Sequence, residues 1–263
     1  MAATVELNAE VSGAGPDLII MHGLFGSMRN WSSHAKQLAS QAKVHLLDLR
    51  NHGASPWSEV MDYPAMAADL AAYMDRAGLA RAHIIGHSMG GKTAMQFALD
   101  YPDRVDRLLV ADIAPVAYDR TYDDYISAMR TSPLAAGNRQ DVDAHLAKIM
   151  ADRGVRAFIL QNLTRADGGL RWRVNVDAIA ANMAQIMAAP DLDGRAACQA
   201  PTLFLRGDRS DYVKNSDRPL LKTWFPNARV ASLKDAGHWL HAEQPGPFIK
   251  SVRLFFGLSA GLT

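Results

Sequence analysis

One cysteine, Cys198, stands among 263 residues, so no internal disulfide can staple the chain. That suits a reducing compartment, and a cytoplasmic protein is expected. No apolar run approaches the ~18–20 residues that a membrane helix needs, so membrane insertion is not expected. The start, MAATVELNAE, has no basic stretch leading into an apolar one and does not read as a secretory leader. An excess of one charge is missing too: 28 Lys and Arg stand against 27 Asp and Glu, and no run of Lys or Arg exceeds two. A nucleic-acid binder shows a basic stripe or patch, so the expected partner is a small, mostly apolar or weakly charged molecule and not a nucleic acid. A hydrophobic share of 49% excludes disorder. At this length one large domain with an insertion fits, since single cores stop growing near ~250–300 residues.

Three regions separate by pattern. In the first, residues 1–115, short continuous apolar runs alternate with helical stretches. The runs are DLIIM (17–21), VHLLDL (44–49), HIIG (83–86) and LLVADI (108–113), which read as strands buried on both faces. Between them, Pro64–Ala77 repeats Ala, Met and Leu at helical spacing, with Gly78 where a C-terminal cap belongs, and Gly90–Leu99 also reads as helix. In residues 116–190 the period becomes helical throughout, at 122–130, 142–150, 155–162 and 176–187, and no strand is expected. In residues 191–263 the alternation resumes with TLFLRG (202–207), a helix near 217–224, VASL (230–233) and a helix near 247–256. The expected fold is α/β, a mostly parallel sheet flanked by helices, with a helical cap inserted over it.

The chemistry concentrates at Gly86-His87-Ser88-Met89-Gly90, a G-x-S-x-G that follows one predicted strand and opens a helix. That turn is sharp enough to demand small residues two positions either side of the serine. A serine hydroxyl is a weak nucleophile at neutral pH and needs an adjacent base. Of nine histidines, His238 sits in a Gly-His-Trp turn after the last strand run, where a base must hang to reach the same sheet edge. His87 points the wrong way round the elbow, and His241 lies one turn further on. An oxyanion hole needs backbone N–H groups. Met89, directly after the serine, supplies one, and the loop His22-Gly23-Leu24 after the first buried strand supplies the other.

Other motifs point in the same direction: His22-Gly23-Leu24-Phe25-Gly26-Ser27, Asp48-x-Arg50-Asn51-His52-Gly53, GHSMGGK at 86–92, and Asp112-Ile113-Ala114-Pro115. Further on stand Trp172-Arg173-x-Asn175-Val176 and Ala236-Gly237-His238-Trp239-x-His241-Ala242-Glu243. In these the chain resembles the α/β-hydrolase superfamily over nearly its whole length, and within it the YbfF-type bacterial esterases. The resemblance implies a cofactor-free serine carboxylesterase acting on a small-molecule ester with a short or medium acyl group. It agrees with Leu24 as the second amide. Most α/β-hydrolases carry the acid three residues after a glycine, beyond the strand before the last. Here Gly207-Asp208-Arg209-Ser210 puts serine there, with Asp211 one residue late. YbfF-type esterases resemble this and draw the acid from the preceding strand's end, which is Asp112. An acid closing an apolar strand needs a charged or hydrogen-bonding partner, and an imidazolium supplies one. Asp112 is therefore favoured, Asp211 is the alternative, and Ser210 a hydroxyl beside the acid.

Around these, Asp48, Arg50 and His52 are expected to pin a neighbouring loop. Phe25, Trp31, Tyr118, Trp172 and Trp239 are candidate pocket walls, with core packing the equal alternative. His238-x-x-His241 lacks the company a metal site requires, and no nucleotide-binding glycine motif follows the first strand, so neither metal nor cofactor is expected. An acyl-CoA thioesterase shares the machinery, and Arg153, Arg156, Arg165, Arg171 and Arg173 would serve its phosphates, although the same residues make a solvated helical surface. A non-catalytic small-molecule receptor on this fold is the reading from another class. A dehalogenase is excluded, because its elbow carries aspartate. Monomer and homodimer fit the sequence equally.

Overall fold

In a computed structural model of the chain, residues 3–135 and 137–258 are described. Seven strands form one sheet in the order β1-β3-β2-β4-β5-β8-β9. Five precede the cap-predicted segment: β1 (Ala9–Ser12), β2 (Asp17–Met21), β3 (Lys43–Leu47), β4 (Ala82–His87) and β5 (Val105–Ala111). β1 pairs antiparallel with β3, and every other pairing in the sheet is parallel. The strand order reverses between β3 and β4, on either side of β2. Loops at the carboxyl ends of β2, β4 and β5 are therefore brought together, where open α/β sheets bind their ligands.

The apolar runs are continuous because both faces are covered. Along β2, Leu18 and Ile20 face one hydrophobic cluster while Ile19 and Met21 face the other; β5 divides Leu109 and Ala111 from Leu108 and Val110 in the same way. Helices α1 (Ser32–Leu38) and α11 (Pro245–Phe256) cover the first face with Ala35, Leu38, Phe248 and Val252. Helices α2 (Tyr63–Arg76) and α3 (Met89–Asp100) cover the second with Met66, Leu70, Met95 and Phe97. The Asp62 side chain caps α2 by accepting from the Ala65 amide at 2.8 Å, and Gly78 turns the chain out with φ +68°.

Between β5 and β8 (Thr202–Gly207) lie α4 (Asp123–Arg130), α5 (Arg139–Leu146), α6 (Arg153–Ile159), α7 (Val176–Ala181) and α8 (Met183–Met187). A two-stranded antiparallel hairpin, β6 (Leu163–Ala166) and β7 (Gly169–Trp172), interrupts them. This corrects the expectation of a wholly helical segment. The hairpin turns through Asp167 and Gly168 into Gly169, both glycines at positive φ, and leaves Arg165 and Arg171 exposed. Strand β9 (Ala228–Leu233) closes the sheet after α9 (Arg218–Trp224), and α10 (Leu240–Glu243) leads into α11. Among the described residues no helix is long and apolar enough to cross a membrane.

Candidate active site

Ser88 stands between β4 and α3 with φ 53° and ψ −120°, a backbone conformation rare outside glycine. Neighbouring backbone dictates it. A Cβ on Gly86 would lie 2.2 Å from the Gly90 carbonyl oxygen, and one on Gly90 would lie 2.5 Å from that of His22. Both glycines are thus required by close approach. The Ser88 amide donates to Ala111 O at 3.0 Å, tying the turn to the end of β5.

His238 follows β9 and reaches back across the sheet edge. Its Nε2 lies 3.0 Å from Ser88 Oγ and its Nδ1 lies 2.8 Å from Asp112 Oδ2. Asp112 is fully buried just beyond β5, with φ 53°. Its carboxylate accepts from the Gly207 amide at 3.0 Å and from the Ser210 hydroxyl, so each oxygen has a donor besides the imidazole's approach. Asp211, the alternative acid, points away: it takes a two-pronged bond from exposed Arg120 at 2.6 and 2.7 Å. With Nδ1–H given to Asp112, Nε2 is left as the acceptor for the Ser88 proton.

Leu24 lies in the loop after β2. Among the described residues its amide meets no acceptor, and Met89 opens α3, where an N–H has no intrahelical partner. The loop is held from several sides. Phe25 N donates to His52 Nε2 at 3.2 Å, Met28 N donates to Asp48 Oδ1 at 2.8 Å, and Asn162 Nδ2 donates to Phe25 O at 2.6 Å. His22 gives Nδ1–H to Gly23 O at 2.8 Å and accepts the Leu49 amide on Nε2 at 3.0 Å. Arg50 grips buried Asp69 with Nε and Nη2 at 2.6 and 2.7 Å. Asp48, Arg50 and His52 thus fix the loops around the site without touching Ser88.

A cavity of about 300 Å³ opens over Ser88, its walls mostly apolar. Of the candidate pocket walls, Phe25, Trp31 and Trp239 line it. Trp172 does not: it is buried away from the cavity, giving its indole N–H to Met129 O at 2.9 Å, because its hairpin packs that edge against α4. Tyr118 instead borders a small crevice beside Met89, its hydroxyl bonded to Tyr212 O at 2.5 Å. Nothing in the residue pattern signals Tyr212, whose ring stacks on His238 at 3.9 Å, nor Tyr122, Val155, Phe158 and Ile159 in the cavity wall. Arg156 is not part of a solvated arginine face; it is held by Asp143 at 2.8 Å and by the Met150 and Ala151 carbonyls.

Three histidines, His34, His87 and His241, crowd behind the site. His87 donates Nε2–H to the His238 carbonyl at 2.9 Å, so it positions the backbone of His238 and does not contact the Ser88 hydroxyl. His34 does the same for the His241 carbonyl at 3.0 Å, and His241 stacks on Trp31 at 4.3 Å. Burial pushes His87 well below the usual imidazole range and His241 and His52 down to about 3, so these rings are neutral. Burial likewise lowers the Lys92 ammonium to about 7, while its Nζ donates to Met187 O at 3.1 Å and to Ala188 O.

Residues 16–245 match the family model for the alpha/beta hydrolase fold. The chain is 37% identical to the esterase YbfF of Escherichia coli over 90% of its length and 92% of that protein's. It is also 37% identical to the sn-1-specific diacylglycerol lipase ABHD11 of Danio rerio, covering 97% of this chain and 83% of the other. A solved structure described as a marine microorganism esterase is 41% identical, covers 96% of this chain and all of its own, and superposes with a TM-score of 0.93.

Proposed function

Because the chain belongs to the α/β-hydrolase family, in which fold alone does not choose the reaction, we propose that it is a serine carboxylesterase for short- to medium-chain acyl esters. The observation that carries the reading is the unbroken hydrogen-bonded relay from Ser88 Oγ through His238 to Asp112, beneath an apolar cavity. The names of its relatives, esterase and diacylglycerol lipase, support the same bond type.

In the proposed cycle Ser88 Oγ attacks the ester carbonyl while His238 Nε2 takes its proton. Asp112 holds the Nδ1–H tautomer and stabilises the imidazolium as it forms. The Leu24 and Met89 amides bind the oxyanion of the tetrahedral intermediate. His238 then gives the proton to the departing alkoxide, leaving an acyl-enzyme. Water, losing a proton to His238, attacks that acyl-enzyme, and collapse of the second intermediate returns the proton to Ser88. Residues 116–190 act as a cap between core segments 1–115 and 191–263, contributing Tyr122, Val155 and Phe158 to the substrate cavity.

A thioester substrate is the second reading. It draws on a cleft of about 280 Å³ where exposed Trp57 faces Arg171 and Arg173, groups that suit a phosphorylated nucleotide tail. Initial rates on p-nitrophenyl esters from acetate to palmitate test the main reading, with Ser88→Ala alongside. Turnover is expected at short or medium chains and is expected to fall by roughly 10⁴-fold or more in the variant. Full activity in Ser88→Ala refutes the mechanism. Ser88-dependent turnover confined to acyl-CoA moves the assignment to the thioesterase.

A further inference from the structure

Two hollows of very different size meet at Ser88. The larger, about 300 Å³, is bordered by His238, Trp239, Phe158 and Phe25. The smaller, about 20 Å³, lies past Met89 and is walled by Lys92, Tyr63, Ile113, Ile186 and Met187. Ser88, Leu24, Tyr122 and Tyr212 border both, while His238 borders the larger and not the smaller.

With Ser88 as nucleophile, on which this assignment rests, the tetrahedral carbon has four substituents to place. One is the Ser88 oxygen, and the oxyanion takes the Leu24 and Met89 amides. The leaving oxygen must come within hydrogen-bond reach of His238 Nε2, because it receives its proton there. The alcohol chain attached to that oxygen therefore continues into the hollow that His238 borders. The acyl carbon has the remaining direction, away from His238. We infer that the crevice behind Met89 is the acyl subsite and the large cavity the alcohol subsite, which narrows the proposed short- to medium-chain range to its short end: acetyl-sized acyl groups on bulky apolar alcohols.

The size limit follows from the crevice and from what holds its far wall. A volume of about 20 Å³ is the scale of one water molecule. It admits the methyl of an acetyl group and is full at propionyl. The wall is α8, and polar ties fix it to the core: Tyr63 OH donates to Ile186 O at 2.5 Å, and Lys92 Nζ donates to Met187 O and Ala188 O. Lys92 also lies over the Tyr118 ring, 4.7 Å from its centroid. Retreat of α8 from a longer acyl chain would strand a buried ammonium and a buried phenol without acceptors. That gives the otherwise costly buried lysine a role, which is to set the depth of the subsite.

The test is a matrix of esters on the unaltered enzyme, read as released acid by titration. Benzyl acetate, propionate, butyrate and hexanoate vary the acyl group; methyl, butyl and benzyl acetate vary the alcohol. Each methylene beyond propionate is expected to lower kcat/KM by about tenfold or more, while acetates hold or improve as the alcohol grows. Met187→Ala is expected to raise the butyrate-to-acetate ratio about tenfold, and that ratio does not depend on how much of the variant folds. A flat or rising acyl series, or a preference for methyl acetate over benzyl acetate, overturns the assignment, as does an unmoved ratio in Met187→Ala. Activity that survives Ser88→Ala across the matrix removes the nucleophile itself. A reversed matrix that still depends on Ser88 removes only the subsites.

Discussion

Acid should unfold this protein earlier than its near-neutral charge suggests, and the buried histidines set the scale. His52 and His241 are held down to about 3 by burial, against about 6.5 in an unfolded chain. His52 has no spare lone pair: Nδ1–H goes to Arg50 O at 2.9 Å and Nε2 accepts the Phe25 amide. Protonating it breaks the hold on the Leu24 loop. Because both folded values lie below the unfolded one, the unfolded chain takes up protons as pH falls below 6.5 and the folded chain does not until near 3. Stability is thus complete above 6.5 and is lost through that window, at about 1.4 kcal/mol per pH unit for each ring. Together the two rings remove about 5 kcal/mol between pH 6 and pH 4, a large share of the ~5–15 kcal/mol typical of a domain. Urea unfolding followed by tryptophan fluorescence at pH 7, 6, 5 and 4 measures this directly. His241→Phe keeps an aromatic ring against Trp31 and removes a ring nitrogen that has no partner, so it should cut the slope by about 1.4 kcal/mol per unit. An unfolding free energy unchanged within 1 kcal/mol from pH 7 to pH 4 would refute the reasoning.

Two substitutions separate the acids. Asp112→Asn tolerates the positive φ but presents the wrong partner to His238 Nδ1, and kcat should fall by roughly 10³–10⁴-fold. Asp211→Asn breaks only a surface pair with Arg120, worth about 0–1 kcal/mol, and should leave kcat within a few-fold; the opposite ranking would move the acid to Asp211. Ser210→Ala removes one donor from the Asp112 carboxylate while the Gly207 amide remains, so kcat should fall about tenfold at unchanged KM. Wild-type kcat in that variant would leave Ser210 without a role.

Much of the fold was legible because burial on both faces writes itself as unbroken apolar runs, as in DLIIM and LLVADI. Strand β1 was not, since Ala9–Ser12 is a half-exposed antiparallel edge with no such run. The β6–β7 hairpin was missed for a related reason: LTRA and GLRW are short and partly exposed, and only the Gly168-Gly169 pair marked the turn. Within the site, flanking turns pointed to Ser88 and His238, whereas the acid stayed open between Asp112 and Asp211, because Ser210 occupies the position where most α/β-hydrolases carry it. Tyr212 and Phe158 reach the cavity through packing that no periodicity encodes, and Trp172 shows the converse, an aromatic of the right composition held by Met129 O elsewhere.

Backbone strain marks the same boundary between local and tertiary instruction. Among the described residues five besides glycine have positive φ, and three of them, Phe25, Ser88 and Asp112, sit at the candidate site. Each such residue costs of order 1–3 kcal/mol, and a phenylalanine there has no local reason to accept it. The compensation is tertiary in every case. Phe25 is clamped by His52 on its amide and Asn162 on its carbonyl, Ser88 by the bond from its amide to Ala111 O, and Asp112 by the hydrogen bond its amide donates to Leu205 O at 2.9 Å. Since β2, β4 and β5 are neighbours in the sheet, the three strained turns are set by one rigid body. The free Leu24 amide, the Ser88 hydroxyl and the Asp112 carboxylate are therefore preorganised together.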